Sequence, residues 1–424
     1  MSSLKVCKQI QGKTGLELES QRITPDGHLA QTDHPFPGST AIDRDFGEAQ
    51  TEINTLPEDS AEEALESLHK HLYTLQKRLR ENGELLWCFS SPPAIRDASE
   101  IRIARYEGPQ KEKMIYRQYL AEKYGRYKMT FAGIHYNYSF TEESLSEIRK
   151  CRESGLSWRE WKDDFYLDLA VKTLEYSWMI VALLAASPFV DGSYFDKDEE
   201  GKTIDTGHAS LRCSEQGYWN LFSPVLSYED MDSYTESVEA YIRKGWLRSE
   251  RELYYPVRVK PKGKYTLRNL KESGADHIEL RLIDLNPFAL NGIELRDLQF
   301  LELLLIWLAG QEKNKPDQKE QLRLLQNCKN GAGADWETPC ILDEKGIWRT
   351  IREYTENVLG SMRLAFANEA QAAEVLEYQY EKVRHPEKRY ARRVRELCGD
   401  DYLRAGVQRA FCRQEELLLG EPQG

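Results

Sequence analysis

Ile134-His-Tyr-Asn-Tyr-Ser-Phe140 alternates apolar or aromatic residues with His135, Asn137 and Ser139. A period of two marks a strand with one buried and one polar face, and it sets the fold class expected here. Gly15-Leu-Glu-Leu-Glu19 repeats the pattern, with the leucines on one side and Glu17 and Glu19 on the other. Asp45-Phe-Gly-Glu-Ala-Gln-Thr-Glu-Ile-Asn54, taken as one strand, aligns Glu48, Gln50, Glu52 and Asn54. Val257-Arg-Val-Lys260, continued by Lys262, forms a basic row, and His277-Ile-Glu-Leu-Arg-Leu282 opposes Glu279 and Arg281 to Ile278, Leu280 and Leu282. These read as short strands with one polar face, and the chain's length allows one large α/β or α+β domain or two ordinary ones.

Around them the pattern becomes helical. Ser60-Ala-Glu-Glu63 has the form of a capping box, and Leu65, Leu68, Leu72, Leu75 and Leu79 follow at spacings of three and four. A second helix is predicted over 165–186, ending before Ser187-Pro188, and a third over 295–309, closed by Gly310. Gln311 to Lys319 reads as a surface connection and Cys328 to Asp335 as a loop. The remainder, about 320–419, reads as a charged helical layer interrupted at Pro386, with a fraying tail from Gly420 to Gly424. No repeat is visible, so one domain over 1–424 is expected, with its sheet core at about 15–310.

Composition removes several function classes. The chain has 424 residues, 58 basic against 70 acidic side chains and a net charge of −12, a poor electrostatic match to nucleic acid. Its longest apolar run, Trp178 to Ala186, is too short to span a membrane, which takes about 20 residues. The N-terminus MSSLKVCKQIQGK lacks a signal-peptide core, and the eight cysteines include no CxxC pair. The expected setting is cytoplasmic, with small-molecule partners and a monomer or small homo-oligomer.

A charged strand face is ordinarily the solvated side of an antiparallel sheet. Here, though, two strands carry only acids and amides outward, while His135 with Asn137 and Glu279 with Arg281 occupy the polar faces of others. If the strands are neighbours, carboxylates and an imidazole crowd one surface, which calls for a cation among them. Magnesium favours carboxylates plus phosphate oxygens, and Arg258 and Lys260 would hold a nucleotide's anions. Phosphoryl transfer from a nucleoside triphosphate to a carboxylate substrate follows. Neither GxxxxGK[ST] nor GxGxxG is present to offer another nucleotide site.

At these segments the chain resembles the bacterial-type glutamate–cysteine ligases, and in particular the ligase half of bifunctional glutathione-synthesising enzymes. The matching runs are GLELES and TPDGHLAQTDHP, then DFGEAQTEINT, LLWCFSSPPAI, YRQYLAEKYG and GIHYNYSF. AASPF, SLRCSEQGYWN, ELYYPVR and HIELRLIDLNPF continue in the family's order, over about residues 15 to 310. The resemblance implies a glutamine-synthetase-like funnel of curled antiparallel sheet flanked by helices. It implies the ATP- and magnesium-dependent first step of glutathione synthesis, in which glutamate's γ-carboxylate becomes a γ-glutamyl phosphate and the amine of cysteine displaces phosphate.

Carried over residue by residue, the magnesium ligands would be Glu17, Glu19, Asp45, Glu52, His135 and Glu279. Arg212 and Arg281 would hold the reacting anions. Tyr116, Arg117, Leu120, Tyr218 and Tyr254 would form the acceptor pocket, with Met129 at the position where the family usually carries Gln, six residues before the histidine. That departure leaves open another small amine as acceptor, and a nucleotide-binding relative without turnover is a further reading. From the residues alone, His135 is equally a packed core histidine, the arginines are structural ion-pair partners, the tyrosines are core or rim, and Cys213 is a core thiol or a reactive one.

Overall fold

Strand alternation and helical periodicity resolve into a sheet backed by helices in the computed structural model, which describes residues 10–151, 154–313 and 315–420. The N-terminal segment with Cys7 and the tail past Gly420 lie outside the described residues. In chain order the strands are β1 (Gly12–Ile23), β2 (Ile42–Arg44), β3 (Gln50–Asn54), β4 (Leu85–Leu86), β5 (Ile134–Phe140), β6 (Phe189–Asp191), β7 (Thr203–Asp205), β8 (Val257–Lys260), β9 (His277–Ile283), β10 (Ile341–Leu342) and β11 (Trp348–Arg349). The helices are α1 (Ala61–Glu81), α2 (Lys111–Tyr124), α3 (Glu142–Lys150), α4 (Trp158–Glu175), α5 (Ser177–Leu184), α6 (Met231–Arg243) and α7 (Leu267–Ser273). They continue with α8 (Leu295–Ala309), α9 (Gln318–Asn330), α10 (Ile351–Ala365), α11 (Ala370–Arg384), α12 (Tyr390–Cys398) and α13 (Tyr402–Leu419).

The main sheet is antiparallel, open rather than closed into a barrel, and ordered β2-β3-β1-β5-β9-β8, with β4 pairing the end of β1. One face is apolar. Leu16, Leu18, Tyr136, Tyr138, Ile278 and Leu280 are all buried there, beneath α1 on β1, α5 on β9 and α4 on β8. Leu68, Leu72, Leu75 and Leu79 of α1 are fully buried, as the stripe predicts, and Leu65 is half-buried. The helices after α8 share this core. Val358 and Leu359 of α10 and Leu376 of α11 belong to the same apolar cluster as Leu298 and Leu301 of α8. The opposite face of the sheet is polar, and it faces a cavity.

Five local expectations change. The run from Asp45 to Asn54 is not one strand: it turns at Gly47, where a strand glycine weakens pairing, and β3 begins only at Gln50. Glu48 therefore leaves the shared face. Its carboxylate accepts the His34 and Arg105 backbone N–H groups, both at 2.9 Å. Lys262 falls beyond β8 and is exposed. The helix expected over 165–186 starts earlier and breaks at Tyr176, where the Ser177 hydroxyl donates to the Leu174 carbonyl at 2.6 Å and so competes with the helical ladder. The loop expected from Cys328 begins only at Gly331, since α9 runs to Asn330. The box at Ser60 is half formed: Ser60 accepts from the Glu63 N–H, but the Glu63 carboxylate takes the N–H of Asp59.

Candidate active site

Strand register brings the acids together. Glu17 stands opposite Asn54 of β3 on one side and His135 of β5 on the other, and Glu19 stands opposite Glu52. Glu279 of β9 faces Arg258 of β8. The β5–β9 pairing shifts register between Ile134 and Tyr136. A bulge of this kind re-aims side chains, and here it sets the Arg281 guanidinium 3.3 Å from His135 Nδ1.

These side chains wall a cavity of about 360 Å³, and every residue singled out above for metal, substrate or nucleotide lines it. Tyr116, Arg117 and Leu120 come from α2, Met129 from the turn before β5, and Arg212 and Tyr218 from the loop after β7. The loop is tight: the Tyr218 N–H donates to the Arg212 carbonyl at 3.0 Å, and a Cβ on Gly217 would lie 1.9 Å from that oxygen. The wall at Met129 is held from the sheet. Gln21 donates to the Thr130 carbonyl at 3.0 Å and Gln50 to that of Phe131 at 3.2 Å. Glu252, fully buried, anchors α2 by accepting from Lys123 and from the Tyr124 hydroxyl, the latter at 2.8 Å. Tyr218 and Tyr254 pack with ring centroids 4.3 Å apart.

Five further lining residues escaped the sequence reading: Phe46, Lys113, Phe131, Arg251 and Tyr265. Phe46 and Phe131 sit inside or beside matched runs and read there as core. Tyr265 follows a Lys-Gly-Lys turn with no pattern of its own, and its hydroxyl is buried with no hydrogen-bond partner among the described residues.

The cavity has two electrostatic ends. Around Glu279 the acid is surrounded by cations: Lys260 Nζ at 3.0 Å, Arg281 at 3.3 Å and Arg258 at 3.6 Å. Burial alone would raise the Glu279 carboxyl, but these three hold it well below the usual range. Glu17 is likewise lowered, with Lys260 and a hydrogen bond from His135 at 3.0 Å outweighing burial. At the other end burial and like charge prevail over Arg212, Arg281 and Arg117. Burial and the neighbouring Asp45 raise Glu19 well above the ordinary value, and the same two causes push Glu52 up to about 8. Burial and Arg281 lower the His135 imidazole to about 4, so it is neutral at neutral pH and able to ligate.

The donor set fits a divalent cation. Ligand atoms of Glu17, His135 and Glu279 lie within 4.8 Å of one another. Glu279 Oε2 is buried without a hydrogen bond. The raised carboxyls of Glu19 and Glu52 are acids whose burial and crowding outweigh the arginines near them, an imbalance that a hard cation would relieve. Arg212 is only 6% exposed and makes no direct ion pair among the described residues; it donates to the Ile283 carbonyl at 3.4 Å and its charge is felt by Glu19 and Asp284, so its guanidinium is only partly answered and can take an anionic ligand. Cys213 beside it is a core thiol: burial raises it to about 11, and it donates to the Leu282 carbonyl. No helix among the described residues is long and apolar enough to cross a membrane.

Known proteins resemble the chain in sequence and in fold. The chain matches the glutamate–cysteine ligase family model over residues 3–246 and 242–330. It is 30% identical over 394 residues to a glutathione biosynthesis bifunctional protein of Clostridium perfringens, covering 89% of this chain and 50% of that protein. The chain thus spans about half the length of such bifunctional relatives. It is also 30% identical over 365 residues to a glutamate–cysteine ligase of Clostridium acetobutylicum, covering 75% of this chain and 76% of that one. In fold it is similar to the glutamate–cysteine ligase of Francisella tularensis solved in complex with AMP, with a TM-score of 0.88 at 21% identity, covering 98% of this chain and 91% of that one. With the family model matched over most of its length, the chain belongs to the glutamate–cysteine ligase family.

Proposed function

We propose that this chain is an ATP- and magnesium-dependent ligase that joins the γ-carboxylate of glutamate to the amine of cysteine. The observation that carries the reading is one cavity holding an acid-and-imidazole cluster able to take a divalent cation beside the buried guanidinium of Arg212, which makes no direct ion pair among the described residues. A γ-carboxylate oxygen of glutamate bonds to the γ-phosphorus of ATP as the bond to the β,γ-bridging oxygen breaks, releasing ADP. The amine nitrogen then bonds to the acyl carbon, phosphate leaves, and the amine gives up a proton. Such chemistry asks the protein chiefly for positioning and charge stabilisation.

In this scheme Glu17, Glu19, Asp45, Glu52, His135 and Glu279 hold magnesium, which when bound neutralises charge on the transferring phosphoryl group. Arg212 and Arg281 grip the migrating phosphoryl and the glutamate carboxylates. Arg258 and Lys260 face the nucleotide phosphates. Tyr116, Arg117, Leu120, Met129, Tyr218 and Tyr254 orient the acceptor. The AMP bound in the Francisella protein of the same fold is in keeping with a nucleotide in this cavity.

A second reading changes only the acceptor. Met129 is 3% exposed and clusters with Leu120 and Phe46, so this wall presents carbon and a thioether where an amide would donate and accept. The test is phosphate release with ATP, magnesium and glutamate across a panel of small amines. Cysteine is expected to give the fastest release. Faster release with another amine shifts the assignment to that acceptor, and ATP binding without release for any amine rejects ligase activity.

Gly133 offers a check on Arg212. A Cβ there would fall 2.5 Å from the guanidinium carbon, so Gly133→Ala displaces the charged head while leaving sheet pairing intact. We expect kcat/KM to fall by about 10²-fold, the usual cost of an ångström of misplacement, with the urea unfolding midpoint nearly unchanged.

A further inference from the structure

Lys260 was expected on the nucleotide, but the structure places it on the acids. Its ammonium lies 3.0 Å from Glu279 Oε1 and 3.6 Å from Glu17 Oε1. These two carboxylates, with His135, are the groups whose ligand atoms converge within 4.8 Å. A single positive group thus already bridges two of the three donors a divalent ion would use. A divalent ion drawn to the same two carboxylates would meet the ammonium at a few ångströms in a recessed site, where like charges repel strongly. The Lys260 side chain is 16% exposed and ends a short strand on the sheet's edge, so its flexible stem can swing aside without disturbing the ladder. Tyr265 stands beside it, with its ring centroid 5.9 Å from the ammonium. Arg258 does not share this freedom. It is 5% exposed and pinned by the Leu253 carbonyl at 2.9 Å and by that of Arg251 at 2.9 Å.

We infer that Lys260 is a resident counter-ion for Glu17 and Glu279 that a divalent cation displaces, and that the freed ammonium then contacts the incoming nucleotide phosphate. This rests on the magnesium and ATP reading given above and adds to it a coupling: the metal makes the nucleotide site by releasing Lys260. The lysine holds Glu17 and Glu279 together before the metal arrives.

The inference separates metal from nucleotide binding in one variant. With Lys260→Met, Mn²⁺ added alone and followed by the loss of its free-ion EPR signal is expected to bind at least about tenfold tighter than in the wild type, since a competing charge is gone. At saturating Mn²⁺, a non-hydrolysable ATP analogue titrated by calorimetry is expected to bind about tenfold weaker, since a phosphate contact is lost. A general disturbance of the cavity would weaken both, so the opposite signs are the signature. Lys260→Arg, which keeps the charge, should bind Mn²⁺ no tighter than the wild type, and Lys260→Gln replaces the methionine variant if that protein does not fold. Equal or weaker Mn²⁺ binding in the uncharged variant overturns the displacement and leaves the metal reading standing. No Mn²⁺ binding in any of the proteins overturns both.

Discussion

Glu279→Gln is expected to lower kcat/KM by about 10³-fold, the scale on which loss of a preorganised charge-stabilising group acts in a closed site. It should also destabilise the metal-free protein by about 3 kcal/mol, as breaking a buried ion pair does. Glu279 is 1% exposed and is the common counter-charge of Lys260, Arg258 and Arg281. Glutamine keeps the shape and removes the charge, leaving three cations facing one another across the end of β8 and β9. Steady-state phosphate release and urea unfolding in chelator give the two readouts. An unfolding midpoint at the wild-type value would show that the cations are neutralised elsewhere, and undiminished turnover would remove Glu279 from the ligand set.

The second large effect has the opposite stability profile. Glu52→Gln is expected to reduce turnover by about 10²-fold or more through loss of a metal ligand, while leaving the metal-free fold as stable as before or more so. The reason lies in protonation. Burial and Asp45 push the Glu52 carboxyl up to about 8, so at neutral pH without metal it is largely uncharged and glutamine imitates it. The sign follows from linkage. A carboxyl whose native value is raised gives stability that is complete below its unfolded value, near 4.5, and is lost as pH rises through about 8. Metal-free wild type should therefore lose stability across that window more steeply than Glu52→Gln, and magnesium should restore it only in the wild type. Parallel stability–pH curves for the two proteins would refute the assignment.

Period-two alternation was enough to name β1, β5, β8 and β9, because one face of each packs on the core and the other does not. Leu16 and Leu18 against Glu17 and Glu19, or Tyr136 and Tyr138 against His135, can satisfy that requirement in only one way. The helix over Leu295–Ala309 was equally legible. The turn at Gly47 and the break at Tyr176 were not. At Gly47 the alternation persists through a bend, and at Tyr176 a helix buried all round has no polar stripe to show where its axis changes.

What the chain order alone determined is the set of candidate groups: acids, an imidazole and arginines, in an order shared with one enzyme family. What only the folded protein decided is which of them meet. Register puts Glu17 against His135, and a bulge puts Arg281 beside it. Long-range packing also set Lys260 on the carboxylates rather than free at a basic edge. Pairing across strands far apart in sequence depends on which faces close over the core, and charges then settle according to the low dielectric they share, a property of the assembled cavity that no single segment carries.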